Sequence, residues 1–220
     1  MTSETASAPV ARRRRDAEEN RDRILRVART LLSTEPNASM DDLAQAAGVV
    51  RRTVYAHFPN RDALIAGLAD KAAADMLAAL GELDRSALDP AVALADFTLT
   101  LWLAGDEYRL LIALAESEVG AAGLRDLLAP ISAQALALLQ RGREQGRFAA
   151  HLPLPVLGAA LQAMTLALLQ AVNDDLWVDD GAQAATAILI ASGLPAAEAD
   201  AAIRQAQLLP GPRCHAPDKG

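Results

Sequence analysis

The chain has 220 residues, of which 52% are apolar and only 3% aromatic. Alanine and leucine dominate, a composition typical of all-helical proteins. Three histidines and one cysteine, Cys214, exclude a disulfide framework and leave no recognisable catalytic or metal-binding cluster, so we expect neither an enzyme nor a cofactor.

The net charge is −7, and it is distributed unevenly along the chain: residues 1–60 carry ten arginines and eight acidic residues, whereas residues 61–220 carry eleven basic and twenty acidic ones. The positive charge that DNA binding needs is therefore confined to the N-terminal part.

Residues 1–15 are predicted to form a flexible basic arm, which ends in the arginine run Arg12–Arg15. No apolar run follows these arginines, so we expect no signal peptide and a cytoplasmic location. Two interpretations of the run stay open: an arm that contacts DNA beside the main site, or a solvated charged segment. A first helix is expected from about Arg12, and its apolar stripe is formed by Ile24, Val27, Ala28, Leu31 and Leu32.

Two short helices are predicted next, and the whole segment 16–60 is expected to form one domain. Ser39 and Asp42 resemble a helix cap before a helix from Met40 to Ala47, which Gly48 ends. After a tight turn, a further helix runs from Arg51 to Phe58. Two helices joined by a glycine-containing turn of this length are the spacing of a helix-turn-helix.

The remainder is predicted to be helical as well, which gives an all-α fold class: an N-terminal three-helix domain plus a larger helical domain. Residues 61–80 form a connecting helix, residues 81–209 the larger domain, and residues 210–220 a flexible tail. Within the larger domain we expect helices at about 90–104, 106–118, 124–146, 154–174, 180–192 and 195–208.

Residues 152–172 carry no charge and are long enough to cross a bilayer. Gln162 and Gln170 within the segment, prolines at its start and acids just after it argue against a membrane span. We expect a helix that is buried on most sides in a soluble protein.

The segment from residue 40 to residue 68 closely resembles the DNA-binding signature of the TetR family of bacterial transcriptional regulators. The matching positions are Ala47, Gly48 and Val49, then Thr53, Val54, Tyr55, His57 and Phe58, and finally Arg61, Asp62 and Leu64. The strong resemblance spans about residues 22–70. It implies a homodimeric repressor that binds double-stranded operator DNA and is released by a small-molecule effector.

In a helix-turn-helix the start of the second helix enters the major groove, which places Arg51, Arg52 and Thr53 against base edges. Tyr55, His57 and Arg61 are expected to donate to phosphates, as is Ser39 at the start of the supporting helix. Alternatives stay open: Tyr55 as a packing residue, His57 as a structural histidine, and the two arginines as a solvated face. The chain departs from the family pattern at Val50 and Arg52, and loss of a hydroxyl at residue 50 removes a helix cap.

For the larger domain the resemblance implies an effector pocket and a dimer interface built from helices 154–174 and 180–192. A pocket needs aromatic walls and a few polar groups. The candidates for its lining are Phe97, Leu101, Trp102, Tyr108, Glu116, Met164 and Trp177, and ordinary core or surface stays open as the alternative for each of them.

The sequence therefore predicts a DNA-binding transcriptional regulator without a metal site or a membrane span. The alternative is a helical module that binds only other proteins. Such a module accounts for the apolar C-terminal helices but not for the arginines, Thr53, Tyr55 and His57 in one motif.

Overall fold

A computed structural model describes residues 8–81, 83–106, 108, 109, 112, 120 and 122–210, with the backbone alone for residues 8–14 and 106. All regular structure in these ranges is helical, which confirms the predicted all-α class. The chain divides into two compact units, one ending at Asp70 and the other beginning at Lys71. Glu116, Cys214, most of the predicted helix 106–118 and the tail beyond residue 210 lie outside the described residues.

The first unit begins with α1 (Ala8–Thr34), α2 (Met40–Ala46) and α3 (Arg51–His57), and it contains the start of α4 (Arg61–Gly81). α1 starts at Ala8 rather than near Arg12, so the backbone of Arg12–Arg15 is helical where we expected a flexible arm. Alanine and arginine favour helix, and Pro9 lies in the first turn, where its missing N–H costs no hydrogen bond.

The stripe predicted on α1 lies in the core of the first unit. Ile24, Ala28 and Leu32 are buried, while Val27 and Leu31 are half-buried. The stripe helps to fix the position of α2, which packs against α1, and α3 packs in turn against α2. The other buried side chains of the unit include Leu25, Leu43, Val54, Phe58, Leu64 and Leu68.

A reciprocal capping box begins α2. The Ser39 hydroxyl accepts from the Asp42 amide at 3.2 Å, and the Asp42 carboxylate accepts from the Ser39 amide at 2.8 Å. The carboxylate also accepts from the Ser39 hydroxyl at 2.7 Å, and this bond, followed by the one from the amide, lowers the pKa of Asp42. After α2, Gly48 adopts a φ of 64°, which a residue without a β-carbon takes without strain. The local signals in the sequence thus form the cap and turn that were predicted from them.

The second unit contains the end of α4, α5 (Pro90–Asp106), helical residues 122–127, α6 (Ala129–Glu144), α7 (Leu154–Asn173), α8 (Ala182–Ala191) and α9 (Ala196–Gln207). α5 is central: every residue from 90 to 100 is buried, and the helix packs against α6, α8 and α9. The helix predicted at 124–146 is interrupted at Leu128, because Pro130 lies in the first turn of α6 and has no N–H to continue an earlier helix.

A buried ion pair fastens the end of α4 to α5. The Arg85 guanidinium lies 2.7 Å from the Asp96 carboxylate, and the two side chains are 8% and 2% exposed. Arg85 also donates to the Leu80 carbonyl at the end of α4 and, at 3.4 Å, to the Thr100 hydroxyl. Arg141 of α6 in turn donates to the Arg85 carbonyl at 2.9 Å. These bonds hold the segment between α4 and α5 in one geometry.

By length and composition, α7 is the one helix in the described ranges that could cross a membrane, with a mean hydropathy of 1.6. Our expectation that it is buried on most sides is wrong for the single chain. Only 17% of its most apolar window is buried, chiefly through Leu157, Leu161 and Leu169. Among the helices that the structure describes, α6 and α8 make the main contacts with α7, and they leave one side of it exposed.

Candidate nucleic-acid interface and ligand cavity

α3 is anchored by one apolar side and presents the other side to solvent. Val54 is fully buried, and Phe58 directly after the helix is 2% exposed. Gly67 of α4 allows a close approach there, since a β-carbon on it would lie 2.8 Å from the Phe58 ring. Arg51 and Arg52 are exposed at the start of α3, and Thr53, Tyr55 and His57 are half-buried. The predicted residues of α3 therefore lie at the exposed, N-terminal end of an anchored helix or along its flanks.

Arg51 and Tyr55 form one polar group on this surface. The Arg51 guanidinium lies 5.1 Å from the centre of the Tyr55 ring and donates to the Tyr55 hydroxyl at 3.4 Å. It also forms an ion pair at 2.8 Å with Asp41 of α2. Both members of that pair are more than half exposed, so the pair adds little stability and can be exchanged for a phosphate or a base at small cost.

Arg52 is exposed and forms no hydrogen bond or ion pair with any residue that the structure describes. Val50, at the cap of α3, is 67% exposed and supplies no side-chain hydrogen bond to the helix, as its lack of a hydroxyl predicts. The start of α3 therefore keeps free backbone amides and a free guanidinium, both of which suit anionic partners.

Two of the predicted phosphate contacts have structural roles in this chain. Arg61 donates to the Ala38 carbonyl at 2.7 Å and also to the Pro36 carbonyl, so its terminal nitrogens hold the loop between α1 and α2. Ser39 forms the capping box of α2. His57 lies next to the Phe58 ring, at 6.4 Å between ring centres. DNA contacts of Arg61, Ser39 and His57 stay predictions.

The second unit contains a partly open cavity of about 420 Å³. Its walls come mainly from α5, α6 and α7, with Met76 of α4 and Ile188 of α8 at its margins. The two charged lining residues in the described ranges are Arg125 and Asp126, both exposed to solvent. The volume lies within the range of small-molecule sites.

Three of the seven candidate effector residues lie together in this wall: Phe97, Leu101 and Trp102. Trp102 is held on the side away from the cavity. Its indole N–H donates to the Asp179 carbonyl at 3.2 Å, and the Trp177 ring packs edge-on against it, with 5.8 Å between the ring centres. Trp177 is thus placed one layer behind the wall.

The other candidates are placed differently. Met164 packs against the main core of the second unit and does not line the cavity. Tyr108 is buried, and its hydroxyl donates to the Asp75 carboxylate of α4 at 2.5 Å. Glu116 lies outside the described residues.

Sequence reasoning missed the polar part of the wall. Ser132 of α6 and Gln162 of α7 both line the cavity, and the Ser132 hydroxyl lies 3.1 Å from Oε1 of Gln162. The available signal was an amide side chain at residue 162 inside a long uncharged helix. The two residues are 30 positions apart, so only the tertiary structure shows that they meet.

The comparisons with known proteins agree with this architecture. The sequence profile of "Bacterial regulatory proteins, tetR family" matches residues 24–68. The chain is 40% identical over 76 residues to the HTH-type transcriptional regulator EthR of Mycobacterium tuberculosis, a match that covers 32% of this chain and only 35% of EthR. The match thus spans about a third of the length of that relative.

Solved structures resemble the chain over most of its length. RolR in complex with resorcinol has a TM-score of 0.62 at 24% identity, over 90% of this chain and 97% of RolR. The TetR-like regulator LfrR of Mycobacterium smegmatis, in complex with proflavine, has a TM-score of 0.57 at 22% identity, over 87% of this chain and 96% of LfrR. At these identities the likeness shows the fold alone: an N-terminal helix-turn-helix domain followed by a helical domain. Together, the profile match over residues 24–68 and the shared fold make the chain similar to the tetR family of bacterial regulatory proteins.

Proposed function

We propose that the chain is a DNA-binding transcriptional regulator, a homodimeric repressor that leaves its operator when a small molecule occupies the cavity. The observation that carries this proposal is the anchored α2–turn–α3 arrangement with an exposed, cationic start of α3. Operator binding and ligand response point to regulation in the bacterial cytoplasm rather than to catalysis.

In this proposal α3 enters the major groove and Arg51, Arg52 and Thr53 contact base edges. Arginine donates two hydrogen bonds to a guanine edge, and the unpaired Arg52 is ready to do so without breaking a contact. Tyr55 and His57 contact phosphates and fix the register. Arg61 and Ser39 support DNA binding indirectly, because they hold the loop between α1 and α2 in place.

A second copy of the chain is the partner that we assign to the uncovered side of α7. The side chains on this side are small or apolar: Val156 is 51% exposed, and Ala160, Ala163 and Ala167 are exposed at helical spacing. Ile190 of α8 continues the apolar surface. Small side chains allow helices to pack closely, and a dimer provides the two reading helices that tight operator binding requires.

The dimer is tested by Ala163→Glu, which places a charge in the proposed contact. Sedimentation velocity should show a dimer for the unaltered chain and mostly monomer for this variant. Ala197→Glu is the matched control, because Ala197 is exposed in the first turn of α9 and away from α7. A monomer for the unaltered chain, or an Ala163→Glu variant that stays fully dimeric, contradicts the assignment.

Coupling of the two functions is proposed to run through α4, which begins in the first unit and ends in the second. Met76 of α4 lines the cavity, and Asp75 accepts from Tyr108. A ligand that favours one position of α4 changes DNA affinity by the same free energy by which DNA changes ligand affinity.

DNA binding is tested by fluorescence anisotropy with the DNA upstream of the chain's own gene, at several salt concentrations. We expect salt-sensitive binding that exceeds binding to scrambled DNA and that weakens in both Arg51→Ala and Tyr55→Ala. Arg204→Ala, at an exposed position of α9, is the matched control and should bind normally. If no genomic fragment binds better than scrambled DNA, the alternative of a helical module that binds only proteins is favoured.

A further inference from the structure

The residues that line the cavity indicate the chemical class of its ligand, provided that the chain is the ligand-responsive regulator proposed above. Most of the described wall is hydrocarbon or aromatic, including Phe97, Leu101, Trp102, Leu136, Leu166 and Leu169. Such a wall favours a ligand with a large apolar part, since apolar surface removed from water is the main source of affinity.

Two hydroxyls in the wall have already used their protons. Thr98 donates to the Leu94 carbonyl and Thr165 to the Leu161 carbonyl, each at 2.9 Å within its own helix. Neither threonine therefore has a proton to offer to a ligand.

The amide of Gln162 is the exception among the described wall residues. Its Oε1 lies 3.1 Å from the Ser132 hydroxyl, whose single proton is shared with the Leu128 carbonyl at 3.0 Å. Its amide nitrogen carries two N–H donors and bonds to no residue that the structure describes. Gln162 is half-buried on α7, so these donors face a mainly apolar cavity and gain from a ligand acceptor.

Charge in the described wall is limited to Arg125 and Asp126, which are adjacent, opposite in sign and exposed. A charged ligand group placed against the apolar part of the cavity would lose its hydration without gaining a counter-charge from the described residues. That loss is much larger than the cost for a neutral polar group.

We propose that the effector is a neutral, mainly hydrocarbon molecule with a carbonyl oxygen, and that this oxygen accepts a hydrogen bond from the Gln162 amide. Ser132 positions that amide, because its hydroxyl lies within hydrogen-bond distance of both the Leu128 carbonyl and the Gln162 side chain. The specificity of the cavity then has two parts: the apolar wall selects the hydrocarbon, and Gln162 selects the neutral acceptor.

Ligand binding is measured without DNA, by fluorescence of Trp102 and the Trp177 ring packed against it. The probes share a ten-carbon chain and differ in the head group: decan-2-one, decanoate and decylammonium. We expect decan-2-one to bind at least tenfold more tightly than either charged probe at pH 7. Tighter binding of decanoate or decylammonium, or no binding of any probe, overturns the proposal.

Gln162→Leu keeps the size of the side chain and removes the donors. It should weaken binding of decan-2-one about threefold to tenfold, the value of one hydrogen bond. Gln140→Leu, at an exposed position of α6 outside the cavity, is the matched control. If Gln162→Leu does not fold, Ser132→Ala should reduce the preference for the ketone in the same direction. Unchanged affinity in the folded Gln162→Leu variant refutes the role of the amide.

The DNA titration separates failure of this proposal from failure of the proposed function. A chain that binds operator DNA but not decan-2-one retains the proposed regulator and loses the ligand class. A chain that binds decan-2-one through Gln162 but no DNA retains the ligand site and loses the regulator.

Discussion

Removal of the Asp96 carboxylate should destabilise the second unit strongly. In Asp96→Ala the Arg85 guanidinium stays charged in a site where it is 8% exposed, and it keeps its bonds to backbone carbonyls and to the Thr100 hydroxyl but loses its counter-ion. Breaking a buried ion pair in this way costs about 3–5 kcal/mol. Since domains of this kind have a total stability of about 5–15 kcal/mol, the variant loses a large part of it.

Replacement of both partners should cost far less. In the double variant Asp96→Ala/Arg85→Met the buried charge is gone and methionine fills much of the volume of the arginine stem, so its stability should lie within about 1 kcal/mol of the unaltered chain. Arg85→Met alone leaves the Asp96 carboxylate buried without this counter-ion and should also cost about 3–5 kcal/mol, so the double-mutant cycle gives a coupling energy of at least about 5 kcal/mol between the two residues. The control Glu198→Ala breaks a half-exposed pair with Arg147 and should cost at most about 1 kcal/mol.

Urea unfolding followed by tryptophan fluorescence measures this directly, because both tryptophans, Trp102 and Trp177, lie in the second unit. In thermal unfolding, the single variant should lower Tm by about 6–20 °C. If Asp96→Ala is as stable as Glu198→Ala, or if the double variant is no more stable than Asp96→Ala, the argument from buried charge is wrong.

Two further predictions concern the cap of α2 and the loop before α8. Ser39→Ala should lower Tm by about 2–4 °C in circular dichroism at pH 7. The bonds from Ser39 lower the pKa of Asp42 below its ordinary value of 3.8. The stability that the ionised carboxylate contributes is therefore present above pH 3.8 and is lost as the pH falls through the pKa of the folded state, so the Tm difference between Ser39→Ala and the unaltered chain should shrink in strong acid. A Tm difference that does not depend on pH would exclude a contribution from the carboxylate. Gly181→Ala should cost about 1–3 kcal/mol in urea unfolding and weaken decan-2-one binding, since Gly181 has a φ of 99° and a β-carbon there would lie 2.9 Å from the Trp102 ring. Unchanged stability would show that the loop adapts at little cost.

Features that depend on neighbouring residues were predicted well from the sequence. The cap at Ser39, the turn at Gly48 and the stripe on α1 arise from hydrogen bonds and helical spacing over a few residues, and the structure contains all three. The start of α1 was misjudged because residues 8–11 were taken as part of a disordered arm, although Ala8 and Ala11 favour helix.

Features that depend on distant residues could not be predicted in this way. Arg85 meets Asp96 only because the segment between α4 and α5 folds back along α5, and Gln162 meets Ser132 only at the packing of α6 and α7. The exposure of α7 was missed for a related reason: an apolar helix predicts burial but does not indicate whether its own chain or a second copy covers it.

Selection of genomic DNA fragments by the purified protein tests whether α3 reads DNA sequence. We expect enrichment of one sequence made of two half-sites related by two-fold symmetry. In Arg52→Ala, the preference for guanine at one position of each half-site should be weaker. Overall salt-dependent affinity should fall only modestly in that variant. If no sequence is enriched, or if Arg52→Ala selects the same motif with the same stringency, α3 does not read DNA as proposed.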